Sequence, residues 1–241
     1  MIDDKNAELI LRLNTKFPML SEISTINRGL ITGDRKKYFS NQKVSNEYVP
    51  ILAGSDVNRY TVKEPSEFVF FKKPKGSGGS WDSGMHLSPH KILVRQIGTK
   101  PMASLITDPF AVTGNLFTIR AENIKEELYI LGVINSKLIK FFWTTMFSDF
   151  KNSFPQVTIF SISQVPIRTI NLNDPADKAQ HDKIVALVES MLALHKSLAL
   201  AQSPVEKERL ENQIKSTDDG IDKLVYDLYG LSQEEIRMVE S

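Results

Sequence analysis

Ala201-Gln202-Ser203-Pro204-Val205-Glu206 is the stretch on which the reading of the C-terminal third turns. Before it, Ile184, Leu187, Met191, Leu194, Leu198 and Ala201 recur at alternating intervals of three and four, which is a heptad seam. Ser203 is an N-cap residue type, Pro204 suits the first helical position, and Glu206 stands where a capping-box carboxylate belongs. A second helix must therefore start there. Beyond it, Leu210, Ile214, Thr217, Ile221, Leu224 and Leu228 carry the seam on, weakened by Thr217 and Gly220, until Gly230 stops it. Ser232 to Glu235 forms another capping box, with Leu231 and Ile236 placed as a hydrophobic staple, and opens a short tail. The spacing predicts two long antiparallel helices, an arm about 30 Å long at 1.5 Å per residue.

Upstream the pattern changes. Leu9, Ile10, Leu13 and Phe17 predict a short amphipathic helix stopped by Pro18. From Ile23 to about Arg120, short apolar runs alternate with Gly, Pro, Asn and Asp: Tyr48 to Leu52, Phe68 to Phe71, Ile92 to Val94, Ala103 to Ile106 and Leu116 to Ile119. Runs of this length, rich in β-branched and aromatic residues, read as strands. Leu128, Leu131, Ile134, Leu138 and Phe141 predict one helix between Lys125 and Met146. Phe154-Pro155 closes that region, and Val157 to Ile170, with Pro166 inside it, reads as extended. The expected fold class is α+β. A twisted, mostly antiparallel β-rich domain with a packed helix spans 1–175, and a helical hairpin with a short tail spans 176–241.

The 241 residues suffice for a core that needs no disulfide or metal. With 41% hydrophobic and 24% charged residues, the chain reads as globular, not disordered. The absence of cysteine removes thiolate catalysis, disulfides and Cys-based zinc sites. Met1-Ile2-Asp3-Asp4-Lys5 is acidic where a signal peptide is basic, and no apolar run approaches the roughly 18 residues of a membrane span. The expectation is a soluble cytoplasmic protein with no membrane partner. The net charge of +1 looks unpromising for a polyanion binder, but it conceals a segregation. Residues 24–170 carry 19 basic against 11 acidic side chains, whereas residues 171–241 carry 8 against 14. Such asymmetry points to nucleic acid, or else to a solvated acidic helical segment.

Catalytic motifs are missing. There is no phosphate loop, no Gly-x-Ser-x-Gly elbow, no Asn-Pro-Pro-aromatic tetrapeptide, and Gly76 to Ser80 lacks the setting of a dinucleotide fingerprint. His86 and His90 are four apart, but Ser88-Pro89 breaks the helix that would make them a metal pair. No catalytic residue and no metal ligand is expected. The positive signal is basic and aromatic residues on turns. Arg28, Thr32, Arg35, Lys36 and Lys37 lie near Gly29 and Gly33, beside Tyr38 and Phe39. Lys72, Lys73 and Lys75 precede the flexible loop with Ser77, and Trp81 follows it. Arg95, Gln96, Thr99 and Lys100 come after the run at 92–94. Lys and Arg neutralise phosphates, and Arg, Gln and Asn make paired hydrogen bonds to base edges. Solvated strand ends are the alternative, and for Trp81 a core position is the alternative to base stacking.

Arg28 to Gly33 followed by Phe39, and Tyr48 to Leu52 with Gly54-Ser55-Asp56-Val57 and Arg59-Tyr60, resemble a known family. So do Lys91 to Gln96, Leu131 to Leu138, Phe154 to Val157, and Val165-Pro166-Ile167. The family is the TaqI-type C-terminal specificity, or target-recognition, domain of adenine-specific DNA methyltransferases and fused restriction-modification enzymes, akin to type I specificity subunits. The tail Asp222 to Leu231 is similar to the ends of such chains.

The resemblance implies sequence-specific recognition of double-stranded DNA on behalf of a methyltransferase catalytic domain or subunit, and adds Arg59 to the candidate DNA contacts. It implies no cofactor on this chain, S-adenosylmethionine being expected on the catalytic partner or a missing domain. Ile184, Leu187, Met191, Leu194, Leu198, Ile214, Ile221 and Leu224 are the candidate partner-facing positions of the hairpin, with a homodimer through them a further expectation. Two other readings stay open: an interaction protein in which the hairpin works and the β-rich body is a passive scaffold, and a complete enzyme such as a nuclease.

Overall fold

In the computed structural model, which describes residues 4–147 and 156–241, the short apolar runs are strands. Helices α1 (Asp4–Lys16) and α2 (Leu20–Ile23) precede β1 (Thr25–Arg28), α3 (Arg35–Tyr38), β2 (Phe39–Ser40) and β3 (Tyr48–Leu52). Then come β4 (Val57–Asn58), β5 (Thr61–Val62), β6 (Glu67–Phe70), α4 (Ser83–His86), β7 (Lys91–Arg95), β8 (Ala103–Ile106), β9 (Ala111–Val112) and β10 (Leu116–Arg120). The elements that follow are helices: α5 (Ile124–Ile134), α6 (Lys137–Phe147), α7 (Ile159–Ser163), α8 (Pro175–Leu200), α9 (Pro204–Tyr229) and α10 (Gln233–Glu240).

The chain divides into two compact units, a partition that differs from a cut at 175/176. One holds residues 24–127 and 151–160, the other residues 1–23, 128–150 and 161–241. The difference has a physical cause. The hairpin has more apolar surface than its own seam can bury, and it shares a core with the remaining helices of its unit. Along α5, the space above Gly132 is closed by Val188 and Ile184 of α8, and a Cβ there would lie 2.8 Å from Val188.

In the sheet unit, β1, β10, β7 and β8 form one antiparallel sheet in that order. Lys91, Ile92, Leu93 and Val94 are all buried, which is why this strand reads as a run without polar alternation. A second sheet runs β2-β6-β3-β9, with only the β3 to β9 pairing parallel. Its apolar cluster is Leu30, Ile51, Val69 and Ala111, joined by Phe39, Val49, Phe71 and Trp81. The two-stranded β4-β5 hairpin turns through Arg59-Tyr60.

In the helical unit, the predicted break is present: Ser203 Oγ accepts from Glu206 N at 3.1 Å, with Pro204 opening α9. At Ser203 only the hydroxyl half of the capping box is made, whereas Ser232 and Glu235 make both halves. Gly230 ends α9 in the left-handed conformation, φ 63°. Each arm has 26 residues, so the hairpin is about 39 Å long, longer than the spacing predicted. Ile184, Met191 and Ile221 are buried, while Leu187, Leu194, Leu198, Ile214 and Leu224 are half-buried.

Two elements correct the sequence reading. The single helix expected between Lys125 and Met146 is two, α5 and α6, divided at Asn135-Ser136. Ser136 Oγ donates to Val133 O at 2.7 Å and accepts from Ile139 N, and the buried Asp222 carboxylate accepts from Lys137 N at 2.8 Å. The start of α6 is thereby capped from α9, a long-range contact that periodicity cannot reveal. The segment from Val157, expected to be extended, folds as α7 before the chain reaches the Met19 to Pro166 bridge. Phe154 and Pro155 lie outside the described residues.

Candidate nucleic-acid interface

Strand register decides which of the candidate residues meet. Arg28 is paired with Phe117, Leu116 with Arg95, and Val94 with Ala103. One end of the first sheet therefore carries Arg28, Arg95, Gln96 and the β7–β8 connection with Thr99 and Lys100. Arg59 joins them, because the amide of its neighbour Tyr60 donates to Ala103 O at 2.9 Å.

The segment after β1 is fixed to two loops. Ile31 exchanges both backbone hydrogen bonds with Gly78, each at 3.0 Å, and Gly114 N donates to Leu30 O at 2.8 Å. This brings the loop with Lys73, Lys75 and Ser77 beside Thr32 and Arg28. Such close approach needs glycine. A Cβ on Gly29 would lie 2.2 Å from Thr113 O, and one on Gly79, at φ 68°, would lie 2.0 Å from Gly29 O. Gly29 is thus a point of backbone approach and not a turn residue, whereas Gly33, at φ 78° with open space around it, is a turn residue.

Of the candidate contacts at this sheet end, Arg28 is held by backbone and side chain together. Its Nε donates to Gly114 O at 2.7 Å, and Nη2 lies 3.5 Å from Gln96 Oε1. The exposed edge of the guanidinium keeps donors in a fixed fork, and the Gln96 amide nitrogen stands beside it. Fork geometry of this kind suits paired hydrogen bonds to phosphate or to a guanine edge. Among the described residues, the Arg95 guanidinium has no ion-pair partner.

Other candidates are engaged within the protein. Arg35 pairs with Glu67 and lies over the Phe39 ring at 4.2 Å, and Lys72 pairs with Glu47. Lys37 lies over Tyr38, Arg59 over Tyr60, and Lys36 and Lys73 are exposed. Trp81 is half-buried in the second sheet's cluster, and its Nε1 donates to Gly78 O at 3.0 Å. It braces the loop from below.

Sequence reasoning missed the polar support beneath this surface. Buried His86 holds Ser80 O through Nε2 at 2.9 Å and accepts from Val112 N at Nδ1, 3.2 Å away. These roles fix the neutral tautomer, and burial pushes the imidazole pKa down. Lys91 is fully buried and donates to His86 O at 2.8 Å, with Ser88 O and Asp108 O also in reach. Burial, with Arg120 adding to it, pushes its ammonium down to about 8. His90 and Glu127 form a further pair at 2.9 Å, and burial raises the Glu127 carboxyl. The one available signal was His86, four residues from His90 without a metal motif.

The depressed His86 pKa sets a pH dependence. Below about 6.5 the unfolded chain takes up the proton before the folded one, so this contribution is complete above that pH and is lost as pH falls through the window. The stability advantage of the wild type over His86→Gln, followed by urea denaturation, is expected to shrink between pH 7.5 and 5. An advantage that grows on acidification contradicts the assignment.

The family described as the TaqI-like C-terminal specificity domain matches residues 49–167. RM.MjaORFECS2P of Methanocaldococcus jannaschii, named as a type II restriction enzyme and methyltransferase, is 28% identical over 155 residues, which is 61% of this chain and 13% of that protein. Among solved structures, the type IIL restriction-modification enzyme MmeI in complex with DNA matches with a TM-score of 0.58 at 12% identity, covering 93% of this chain and 35% of that one. The type IIG restriction endonuclease BpuSI matches with a TM-score of 0.53 at 12% identity, covering 93% and 33%. These structures share the fold. The chain spans about an eighth of the curated relative and about a third of each of the two solved chains.

Proposed function

Residues 49–167 of this chain are a TaqI-like C-terminal specificity domain, and from that premise we propose that the chain recognises a specific duplex DNA sequence for a restriction-modification system in the cytoplasm. The observation that carries the reading is the register that gathers Arg28, Arg95, Gln96, Thr99 and Lys100 at one sheet end, with the loop of Lys75 and Ser77 tied alongside. Charge supports it. The sheet unit contains 16 basic and 10 acidic residues, and the helical unit 14 and 19. The cations hold phosphates and set the register on the duplex, while Arg28 and Gln96 present paired donors to base edges.

The chemistry lies with a partner. An adenine-specific methyltransferase domain or subunit carrying S-adenosylmethionine flips the target base, because its amino group cannot be reached within the stack. The hairpin orients the recognition unit against that partner. Self-association through the hairpin would draw on its exposed apolar side chains, with Leu200 and Val205 at its turn 69% and 78% exposed, and not on Ile184, Met191 and Ile221, which are buried within the chain. Among the described residues, no helix is long and apolar enough to cross a membrane.

If about five phosphates are contacted, log affinity for duplex DNA plotted against log salt has a slope of about −4 to −5. A salt titration by fluorescence anisotropy measures it. Binding that ignores salt, or no binding to any duplex, contradicts the reading.

A further inference from the structure

Ile31 is an apolar side chain, 38% exposed, standing among the donors of the proposed base-reading surface. Single exposed aliphatic residues are ordinary on protein surfaces. Ile31 is set apart by how it is held. Its backbone N–H and C=O are both bonded to Gly78, and its side chain fills the space over Gly114, where a Cβ would lie 2.4 Å from Ile31 Cγ1. A Cβ on Gly78 would meet the same side chain at 3.7 Å. The Gly114 carbonyl beneath it accepts the Arg28 Nε hydrogen bond at 2.7 Å, and Arg28 in turn reaches Gln96. An isoleucine, a guanidinium fork and a primary amide thus stand together on backbone tied by hydrogen bonds to Gly78 and Gly114.

We propose that Ile31 reads the 5-methyl group of a thymine in the major groove, next to the base pair engaged by Arg28 and Gln96. The proposal rests on the DNA-recognition reading above and adds to it a chemical assignment for one base pair. The major groove presents the thymine methyl beside hydrogen-bonding edges, and an apolar side chain is the complement to that methyl. Guanine and adenine edges take the Arg28 and Gln96 donors, and the branched chain of Ile31 meets the one base whose mark is apolar. Burying one methyl contributes roughly 0.8 kcal/mol, a factor of about four in affinity.

The test uses the full chain and a duplex recovered from a randomised pool, resynthesised with deoxyuridine in place of each thymine in turn. Deoxyuridine removes the methyl and keeps every hydrogen-bonding group. Wild-type protein is expected to lose about fourfold in affinity at one thymine position. Ile31→Ala is expected to lose the same factor on the thymine duplex and to bind the deoxyuridine duplex no more weakly than wild type does, while retaining a cooperative melting transition. A wild type indifferent to every replacement, a recovered sequence without thymine, or an Ile31→Ala protein that still discriminates overturns the assignment of Ile31 and leaves DNA recognition standing. Failure of the wild type to enrich any duplex overturns both, and shows itself before any thymine is changed.

Discussion

Arg95→Glu combined with Lys75→Glu is expected to weaken duplex binding by roughly 100-fold or more at moderate salt and to flatten the salt slope by about 2. Arg95 leaves the first sheet beside Arg28, and Lys75 lies in the loop that Gly78 fixes to Ile31. On the proposed reading, each reversal removes a phosphate contact and places a carboxylate against the DNA backbone. A charge pair near 4 Å in water is worth roughly 1 kcal/mol, so two sites, each changing sign, amount to roughly 3–4 kcal/mol. The control carries the same change in net charge elsewhere. Lys207→Glu with Lys215→Glu, both on α9, is expected to shift affinity by less than about threefold. Equal effects from the two pairs mean that total charge, and not the sheet end, governs binding.

Gly79→Ala is expected to destabilise the protein by about 3 kcal/mol, and hence to lower the melting midpoint by about 6–12 °C for a domain of this size. Two costs combine. Alanine at φ 68° is strained by about 1–2 kcal/mol, and its Cβ would lie 2.0 Å from Gly29 O, a backbone atom that cannot rotate away. Gly76→Ala separates them. Gly76 has φ 78° with nothing within 4 Å of the added carbon, so it carries only the first cost, about 1–2 kcal/mol. Scanning calorimetry of the two variants measures the difference. Equal losses would show that the approach of the Gly29 and Gly79 backbones is not what holds the recognition loops together.

The sequence displayed the fold where local chemistry decides structure. β3 and β8 have the predicted bounds, because Tyr48 to Leu52 and Ala103 to Ile106 are apolar runs closed by turn residues. The hairpin was legible from Ser203-Pro204 and Gly230, whose capping acts within a few residues of chain. The break between α5 and α6 was not, because the carboxylate that caps α6 arrives from Asp222, 85 positions away. Which helices bury the hairpin's second face is likewise a matter of packing and not of local sequence.

The candidate site was partly legible. Basic clusters on turns pointed to loops that strand register brings together, but composition cannot show that Arg35 and Lys72 are held by Glu67 and Glu47, or that Trp81 supports a loop from below. Nor could it mark Ile31, whose significance lies in its neighbours Gly78, Gly114 and Arg28.

On the proposed function, this sheet end recognises a DNA sequence. Selection of bound duplexes from a randomised pool at moderate salt, with wild type and the Arg95→Glu, Lys75→Glu protein run in parallel, tests it most directly. Wild type is expected to enrich one motif, and the variant to lose it. Flat enrichment with wild type, or the same motif recovered equally by both proteins, would contradict it.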